Sequence, residues 1–452
     1  MKFLNFPQGV FTIAFGNLWD TFSYYGTQTI LVLYLMHVFH FESGISYLVY
    51  GAYVSMSFST PIFGGIIADR FLGSRNTALI GGVLAITGNL ILMLHQPSRF
   101  FCGLSMALIG SGLYKCNATQ MLGALYQKGA HDKEKGFTLL YLAINIGGTL
   151  APLCYGLIIY QFHAWSLVFL INSIGIATSI LLFLYNIKIY PTSNRLHKKQ
   201  AFLALGGIIL GMLFLFFSFS NIHFVLLAPI IVFILGMGYL IRTILQANKL
   251  NRRPLFGLLI LSFFAMFYFS AGMQVGTTVT LFIQSVVKQF RLPASTFNML
   301  YSGFVLILAP FFATTWAFLK QKKIHITLQQ KVVIGILLAA LGMLAFAMAA
   351  KTSLIFSNIL LGYLLLSAGE LVITPAVYTA ISNNAAPELK SAMMGGWFLF
   401  IGMGSYLSAI FSKISMMTHS YAIRFSFFAM IASIAATGLF LALPKLNKMI
   451  HE

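Results

Sequence analysis

The chain has 452 residues, 59% of them hydrophobic and only 8% charged, with 28 Lys and Arg against 8 Asp and Glu and a formal net charge of +20. That composition excludes a soluble domain of any size and describes an all-α, polytopic membrane protein. A basic excess of this size also raises nucleic acid as a partner, but the charges sit in loops between apolar stretches, where bilayer orientation and lipid headgroup contact account for them.

A spanning helix needs about 20 mostly apolar residues. Fourteen stretches qualify, near 9–38, 45–68, 77–95, 99–124, 136–161, 164–187, 201–219, 222–241, 254–285, 295–319, 330–350, 354–381, 391–412 and 422–444. The first is too long for a signal peptide and lacks a small-residue cleavage site, so it stays as a helix. With the N-terminus in the cytoplasm, 21 of the 28 basic residues fall on the cytoplasmic side, among them Arg70, Arg75, Lys128, Lys133, Lys198, Arg252, Lys320 and Lys322. The other face keeps Arg99, Lys288, Arg291, Lys351, Lys413 and Arg424. By the positive-inside rule both termini are cytoplasmic.

In chain order, the first stretch carries Asn17, Asp20, Tyr24 and Gln28. The second leaves through TPIFGGIIADRFLGSR, where Gly65, Asp69, Arg70, Gly73 and Arg75 read G-x-x-x-D-R-x-x-G-x-R. This resembles the cytoplasmic loop signature of the major facilitator superfamily: the acid holds basic groups of a neighbouring helix, and the glycines allow close packing and a tight turn. Lys115 lies deep in the fourth stretch, within GSGLYKCNATQMLGALY. Tyr141 and Asn145, four apart on the fifth, share a helix face. A basic linker, KIYPTSNRLHKKQ, closes the first six helices (1–190); two further helices occupy the insert 191–253, and QANKLNRRP leads into the last six (254–452). The tenth stretch ends APFFATTWAFLKQKK, a proline in an apolar helix and then a basic turn, as the second does. Glu370 lies deep in the twelfth stretch and Trp397 in the thirteenth. A charge at bilayer depth costs roughly 2.5–3.5 kcal/mol on insertion scales, so Lys115 and Glu370 mark a substrate or ion path. Repeated six-helix halves predict alternating access with substrate near the midplane.

Cys102, Cys116 and Cys154 lie in or near apolar stretches without metal-ligand spacing and read as packing residues. No nucleophile–base set or metal triad lies at depth, so the chain is not read as an enzyme, and neither metal nor cofactor is expected.

The segments GELVITPAVYTAISNNAAPELKSAMMGGWFL, GSGLYKCNATQMLGALY and LYLAINIGGTLAP, with FSYYG of the first helix and GG-x-x-ADR-x-LG, resemble the proton-dependent oligopeptide transporter family of the major facilitator superfamily in matching order over residues 17 to about 400. The resemblance implies a major facilitator fold of two six-helix bundles, with the insert matching the linker pair of bacterial members. It further implies import of di- or tripeptides coupled to protons in a bacterial inner membrane; a monomer is expected. Under it Lys115 matches the lysine near the peptide carboxylate, Glu370 the partner of the peptide amino group, and Tyr24, Tyr141, Asn145 and Trp397 match cavity positions. A zwitterion needs a cation and an anion with donors and aromatic walls between them, which is independent support for that set.

Departures are as informative. Where the family carries E-x-x-E-R, this chain has Asn17, Asp20 and Thr21; the arginine after the paired tyrosines is Gln28; the acid of the seventh family helix falls near Tyr268 or Phe269; and a tyrosine before the T-P step is Phe58. The intramembrane charges shrink to Asp20, Lys115 and Glu370, which are left to carry any proton coupling. Lys115 is predicted to pair with Asp20 in one state and with Glu370 or substrate in another. A uniporter or exchanger of a non-peptide metabolite, and a transport-inactive sensor of the same fold, are the alternatives.

Overall fold

The computed structural model describes residues 6–126, 133–190, 198–246, 249–286, 292–324, 326–385 and 387–451. Lys128, Lys288 and Arg291 of the topology argument lie outside them. The described residues form fourteen helices of 20 residues or more and one short one. These are α1 (Val10–His37), α2 (Ser43–Ile67), α3 (Gly73–Leu92), α4 (Pro97–Ala124), α5 (Lys133–Phe162), α6 (Trp165–Tyr185), α7 (Lys198–Ser220) and α8 (Ile222–Gln246). They continue as α9 (Lys249–Gly272), α10 (Thr278–Val286), α11 (Met299–Gln321), α12 (Leu328–Ala349), α13 (Ile355–Asn384), α14 (Pro387–Ser415) and α15 (Tyr421–His451). The expected all-α membrane architecture is therefore the one observed. Eleven segments are long and apolar enough to cross a membrane, and one of these, Ser43–Leu92, covers two expected spans. α1 and α4 are not among the eleven: they carry the buried polar residues Asn17, Asp20, Thr21, Gln28 and Asn117.

The chain divides into two compact units, Met1–Phe41 with Met56–Val225 and Glu42–Ser55 with Leu226–Glu452. The inserted helices are shared between them rather than forming a body of their own. α7 packs on α4 in the first unit. α8 belongs to the second, where the Tyr406 hydroxyl donates to the Leu226 carbonyl (2.8 Å) and Phe233 meets Phe400 edge-on at 5.3 Å. Phe202, Leu210, Leu235 and Tyr239 on this pair are exposed, as lipid-facing side chains are. Helix α2 is divided too. Its first part packs in the second unit, with Gly51 against Ala409 and Tyr406, and its later part packs in the first, with Gly64 on the Gly112 carbonyl.

Within each unit the helix pairings repeat. In the first, α1 packs on α5 and α6, and α3 on α4 and α6; in the second, α9 packs on α14 and α15, and α12 on α13 and α15. Glycines seven residues apart seat two of these crossings. A Cβ at Gly81 or Gly88 of α3 would lie 2.6 or 2.7 Å from the carbonyl oxygen of Gly110 or Gly103 of α4. At Gly335 or Gly342 of α12 it would lie 3.0 or 3.1 Å from that of Gly369 or Gly362 of α13. Two turns of a helix take about seven residues, so each pair forms one stripe along the crossing.

The stretch expected as one helix over 254–285 is broken. α9 ends at Gly272, a tight turn runs over Met273–Gly276, and Thr277 adopts φ −124°, ψ −99° before α10 begins. Backbone carbonyls of the turn are bonded inside the unit, Gln274 by the Thr277 amide (3.1 Å) and Val275 by the Thr280 hydroxyl (2.5 Å), and the Gln274 side chain ties the turn to α14. Gln274 Nε2 donates to the Ser408 carbonyl (3.0 Å), and the Ser412 hydroxyl donates to Gln274 Oε1 (2.8 Å). Irregular backbone at depth is tolerated where neighbouring helices satisfy it in this way.

Candidate functional site

In the first unit the candidate residues lie on one face of α1 and on α4. Asp20 is 5% exposed, and the Ser111 hydroxyl donates to its carboxylate. Lys115 lies within electrostatic reach of that carboxylate. Ser111 and Lys115 are one turn apart on α4, which is why both meet the same acid. The second carboxylate oxygen, Asp20 Oδ2, has no hydrogen-bond partner among the described residues, nor have Asn17 Oδ1 and Thr21 Oγ1. These three atoms mark the place where the E-x-x-E-R pattern is eroded. Asn17 instead donates to the Ile13 carbonyl of its own helix (2.9 Å). Tyr24 accepts from Ser57 of α2 at 3.0 Å, and Gln28 is buried at the same face. Tyr141 is 47% exposed, while Asn145 donates to the Tyr141 carbonyl (2.9 Å) as part of helix α5.

The second unit gathers Glu370 (α13), Tyr301 (α11) and Tyr268 (α9). Tyr301 hydrogen-bonds the Glu370 carboxyl. The Tyr301 and Tyr268 hydroxyls are 3.1 Å apart, and the Tyr268 hydroxyl donates to the Leu366 carbonyl at 2.6 Å. Ser367 pins the Tyr301 carbonyl at 2.9 Å. Glu370 and Tyr301 keep partial exposure whereas Tyr268 has none. Trp397, expected as a cavity wall, is 1% exposed and packs edge-on against Phe269 at 5.7 Å. It is a buried packing residue in this conformation, because the residue that would cover a ligand-facing ring, Phe269, lies over it.

At the α2–α3 turn, Asp69 and Arg70 are exposed on a single π turn, Ala68–Leu72, that joins the two helices almost continuously. Gly73 sits at φ 73°, ψ 157°, a conformation a side chain would strain, so the glycine of the signature is required by the backbone. Gly65 allows Cys116 to approach to 3.5 Å of where its Cβ would be, and Arg75 Nε is buried without a partner among the described residues. The three cysteines are free thiols of intermediate burial.

Sequence reasoning missed Ser111 and Tyr301. Ser111 could have been found as the residue one turn before Lys115. Tyr301 carried no local signal, since only the folded unit brings α11 to α13.

The POT family model, PTR2, matches residues 75–424. The chain is 29% identical over 430 residues to an uncharacterized transporter of Bacillus subtilis, YclF, covering 88% of this chain and 86% of that one. It is 26% identical to the peptide transporter YePEPT of Yersinia enterocolitica, covering 90% and 88%, and 26% identical to dipeptide and tripeptide permease B of Photorhabdus luminescens, covering 99% and 97%. Among solved structures, a POT family transporter in complex with 5-aminolevulinic acid superposes with a TM-score of 0.86 at 21% identity, covering 98% of both chains. A peptide transporter POT in complex with sulfate gives 0.85 at 23%, covering 99% and 97%. At these identities the structures establish the fold.

Proposed function

We propose that this chain, which belongs to the POT family, imports di- and tripeptides or similar small zwitterions by alternating access, with protons as the coupling ion. The observation that carries this reading is the pair of half-sites: one partly buried cation, Lys115 beside Asp20, in the first unit, and one partly buried acid, Glu370 beside Tyr301, in the second. A cation suits a carboxylate and an acid suits an ammonium, the two groups that a zwitterion carries. Relatives named as peptide transporters support the substrate class. Asp20 and Glu370, the carboxylates set within apolar helices, are the proton carriers under this reading. The bacterial sources of these relatives support a bacterial inner membrane, with both termini cytoplasmic by the loop charges.

A second reading, a uniporter or exchanger of another small zwitterion, draws on the unpartnered atoms of Asn17 and Thr21, where the acid and arginine of the family pattern are gone.

The test is uptake of a labelled neutral dipeptide into proteoliposomes with and without an inward proton gradient, comparing the native chain with Glu370→Gln. Gradient-driven uptake that the variant loses supports a proton-coupled peptide carrier. Uptake indifferent to the gradient supports the second reading, and no uptake by folded protein overturns the peptide assignment.

A further inference from the structure

The second unit also holds a cleft of about 310 Å³ between the end of α11, the start of α12 and the end of α13. Leu328, Pro375 and Ala376 give it apolar walls, and Trp316, Lys331 and Asn383 line it with them. Lys331 Nζ lies over the Trp316 ring, 4.4 Å from its centroid. With about 3.6 residues per turn, the lining residues Val372, Pro375, Thr379 and Asn383 fall on the side of α13 opposite Glu370. The cleft and the Glu370 half-site therefore occupy opposite faces of one helix, and a cargo held at Glu370 does not reach the cleft.

The charges of these helices do not balance. Lys331 is half-buried in the cleft. α11 and α12 contain no acidic residue, the one acid of α13 is Glu370 on the far face, and the next acid along the chain, Glu388, belongs to α14. The helices that line the cleft thus bring a cation to an apolar surface and no anion to match it. The turn from α11 to α12 adds Lys322 and Lys323, both exposed, at the same helix ends. Basic pockets between spanning helices on the cytoplasmic side suit anionic lipid headgroups. Tryptophan is enriched at headgroup level, and a lysine there lays its stem on apolar surface with its ammonium toward the polar layer. An apolar wall below a cation matches an acyl chain below a phosphodiester, whereas a small soluble anion would leave that wall uncovered.

We propose that this cleft binds one anionic phospholipid of the cytoplasmic leaflet, with its phosphodiester at Lys331 and an acyl chain between α11 and α12 along Leu328 and Pro375. The choice of leaflet rests on the reading of the termini as cytoplasmic; the site itself does not depend on the cargo. Bound there, the lipid supplies the anion that the lining helices lack and ties α11, which carries Tyr301, to α12 and α13. Lys322 and Lys323 attract the headgroup to the mouth, and Lys331 holds it.

The experiment is native mass spectrometry of the full-length protein, titrated in detergent with phosphatidylglycerol or with phosphatidylcholine of the same acyl chains. The native chain is expected to retain one phosphatidylglycerol in preference to phosphatidylcholine. Lys331→Gln should weaken that one lipid about fivefold, as loss of one basic group at an anionic headgroup does, and leave phosphatidylcholine unchanged. Lys331→Arg should keep the preference. Thr379→Phe, which fills the cleft from an exposed position, should lose the tight lipid altogether. Lys322→Gln combined with Lys323→Gln should cost less than Lys331→Gln although it removes more charge. Melting temperatures identify the folded variants, and if Lys331→Gln is not among them, Thr379→Phe decides. Equal retention of the two lipids, or a preference unmoved in folded Lys331→Gln or Thr379→Phe, overturns the proposal. A larger loss in the Lys322 and Lys323 double variant would place the headgroup on the turn and overturn it too, as would displacement of the lipid by millimolar inorganic phosphate. Because no transport is measured, a chain that fails to carry dipeptide yet keeps the tight lipid would sink the peptide reading and leave the lipid site standing.

Discussion

The two units can be laid over each other crossing by crossing. In the first, Gly81 and Gly88 of α3 meet Gly110 and Gly103 of α4 at 2.6 and 2.7 Å from Cβ position to carbonyl, backbone on backbone. In the second, Gly335 and Gly342 of α12 meet Gly369 and Gly362 of α13 at 3.0 and 3.1 Å, with Ile373, Leu366 and Phe346 side chains filling the seam. The helices so joined carry the half-sites, and these differ as the seams do. α4 offers a charge beside a buried acid, while α13 offers an acid tied to phenolic hydroxyls. The same pairing of helices therefore supports an electrostatic half-site in one unit and a hydrogen-bonded one in the other, and the two should fail differently.

The largest contrast is at the charges. Lys115→Met leaves the buried Asp20 without the cation that acts on its charge. Melting in detergent should fall sharply and uptake should be lost, and Asp20→Asn added to Lys115→Met should restore most of the melting temperature but not the uptake. Glu370→Gln, by contrast, keeps a hydrogen-bonding group for Tyr301 and should abolish uptake with little change in melting. Native-like melting of Lys115→Met would mean that Asp20 does not lean on the lysine, and the contrast between the units would go with it.

Next is the hydroxyl that serves Asp20. Ser111→Ala removes a hydrogen bond to a charged group, about 1.5–3 kcal/mol, and Ser111→Thr should recover it. The seams come third. Gly88→Ala would place a methyl 2.5 Å from the Ala107 amide nitrogen and 2.7 Å from the Gly103 carbonyl, and overpacking of this kind costs about 1–3 kcal/mol. Gly342→Ala finds its nearest atom at 3.1 Å and flexible Leu366 carbons beyond, so the gain of alanine over glycine in a helix, about 1 kcal/mol, should offset the crowding. Equal melting of the two alanine variants would show that the seams are not different.

Much of this architecture was legible because membrane helices announce themselves by length and apolarity, and because Lys115 and Glu370 are costly where they stand. The paired polar positions of α1 and α4 were legible for the same reason, although those two helices are less apolar than the rest. The break after Gly272 was not: 254–285 reads as one apolar run, and the groups that hold the Gln274 side chain at the break, Ser408 and Ser412, come from α14 more than a hundred residues on. Trp397 was misjudged because an aromatic on an apolar helix carries no mark of which face it presents, and Phe269 covers it. Tyr301 was invisible for want of any signal tying α11 to α13. What the sequence could not supply was, in each case, a tertiary partner.

The smallest expected effect lies where the two units enter their glycine-seamed pairs. α3 begins straight from the π turn of α2, with Gly73 at φ 73° and no side-chain cap. Its counterpart α12 begins at a reciprocal capping box, in which Gln330 N donates to Thr327 Oγ1 (3.3 Å) and Thr327 N donates to Gln330 Oε1 (2.8 Å). The capped entry is closed by groups of its own first turn. The uncapped entry makes α2 and α3 one mechanical piece, bent at exposed Asp69 and Arg70. Thr327→Ala should therefore cost about 1 kcal/mol of stability, as loss of an N-cap does, and leave uptake rates at the native level. Gly73→Ala should slow uptake, because its strain falls on the turn that joins α2 and α3. If the two variants changed stability and uptake alike, the α2–α3 turn would be a cap by other means, and the signature residues there would have no part in the transport cycle.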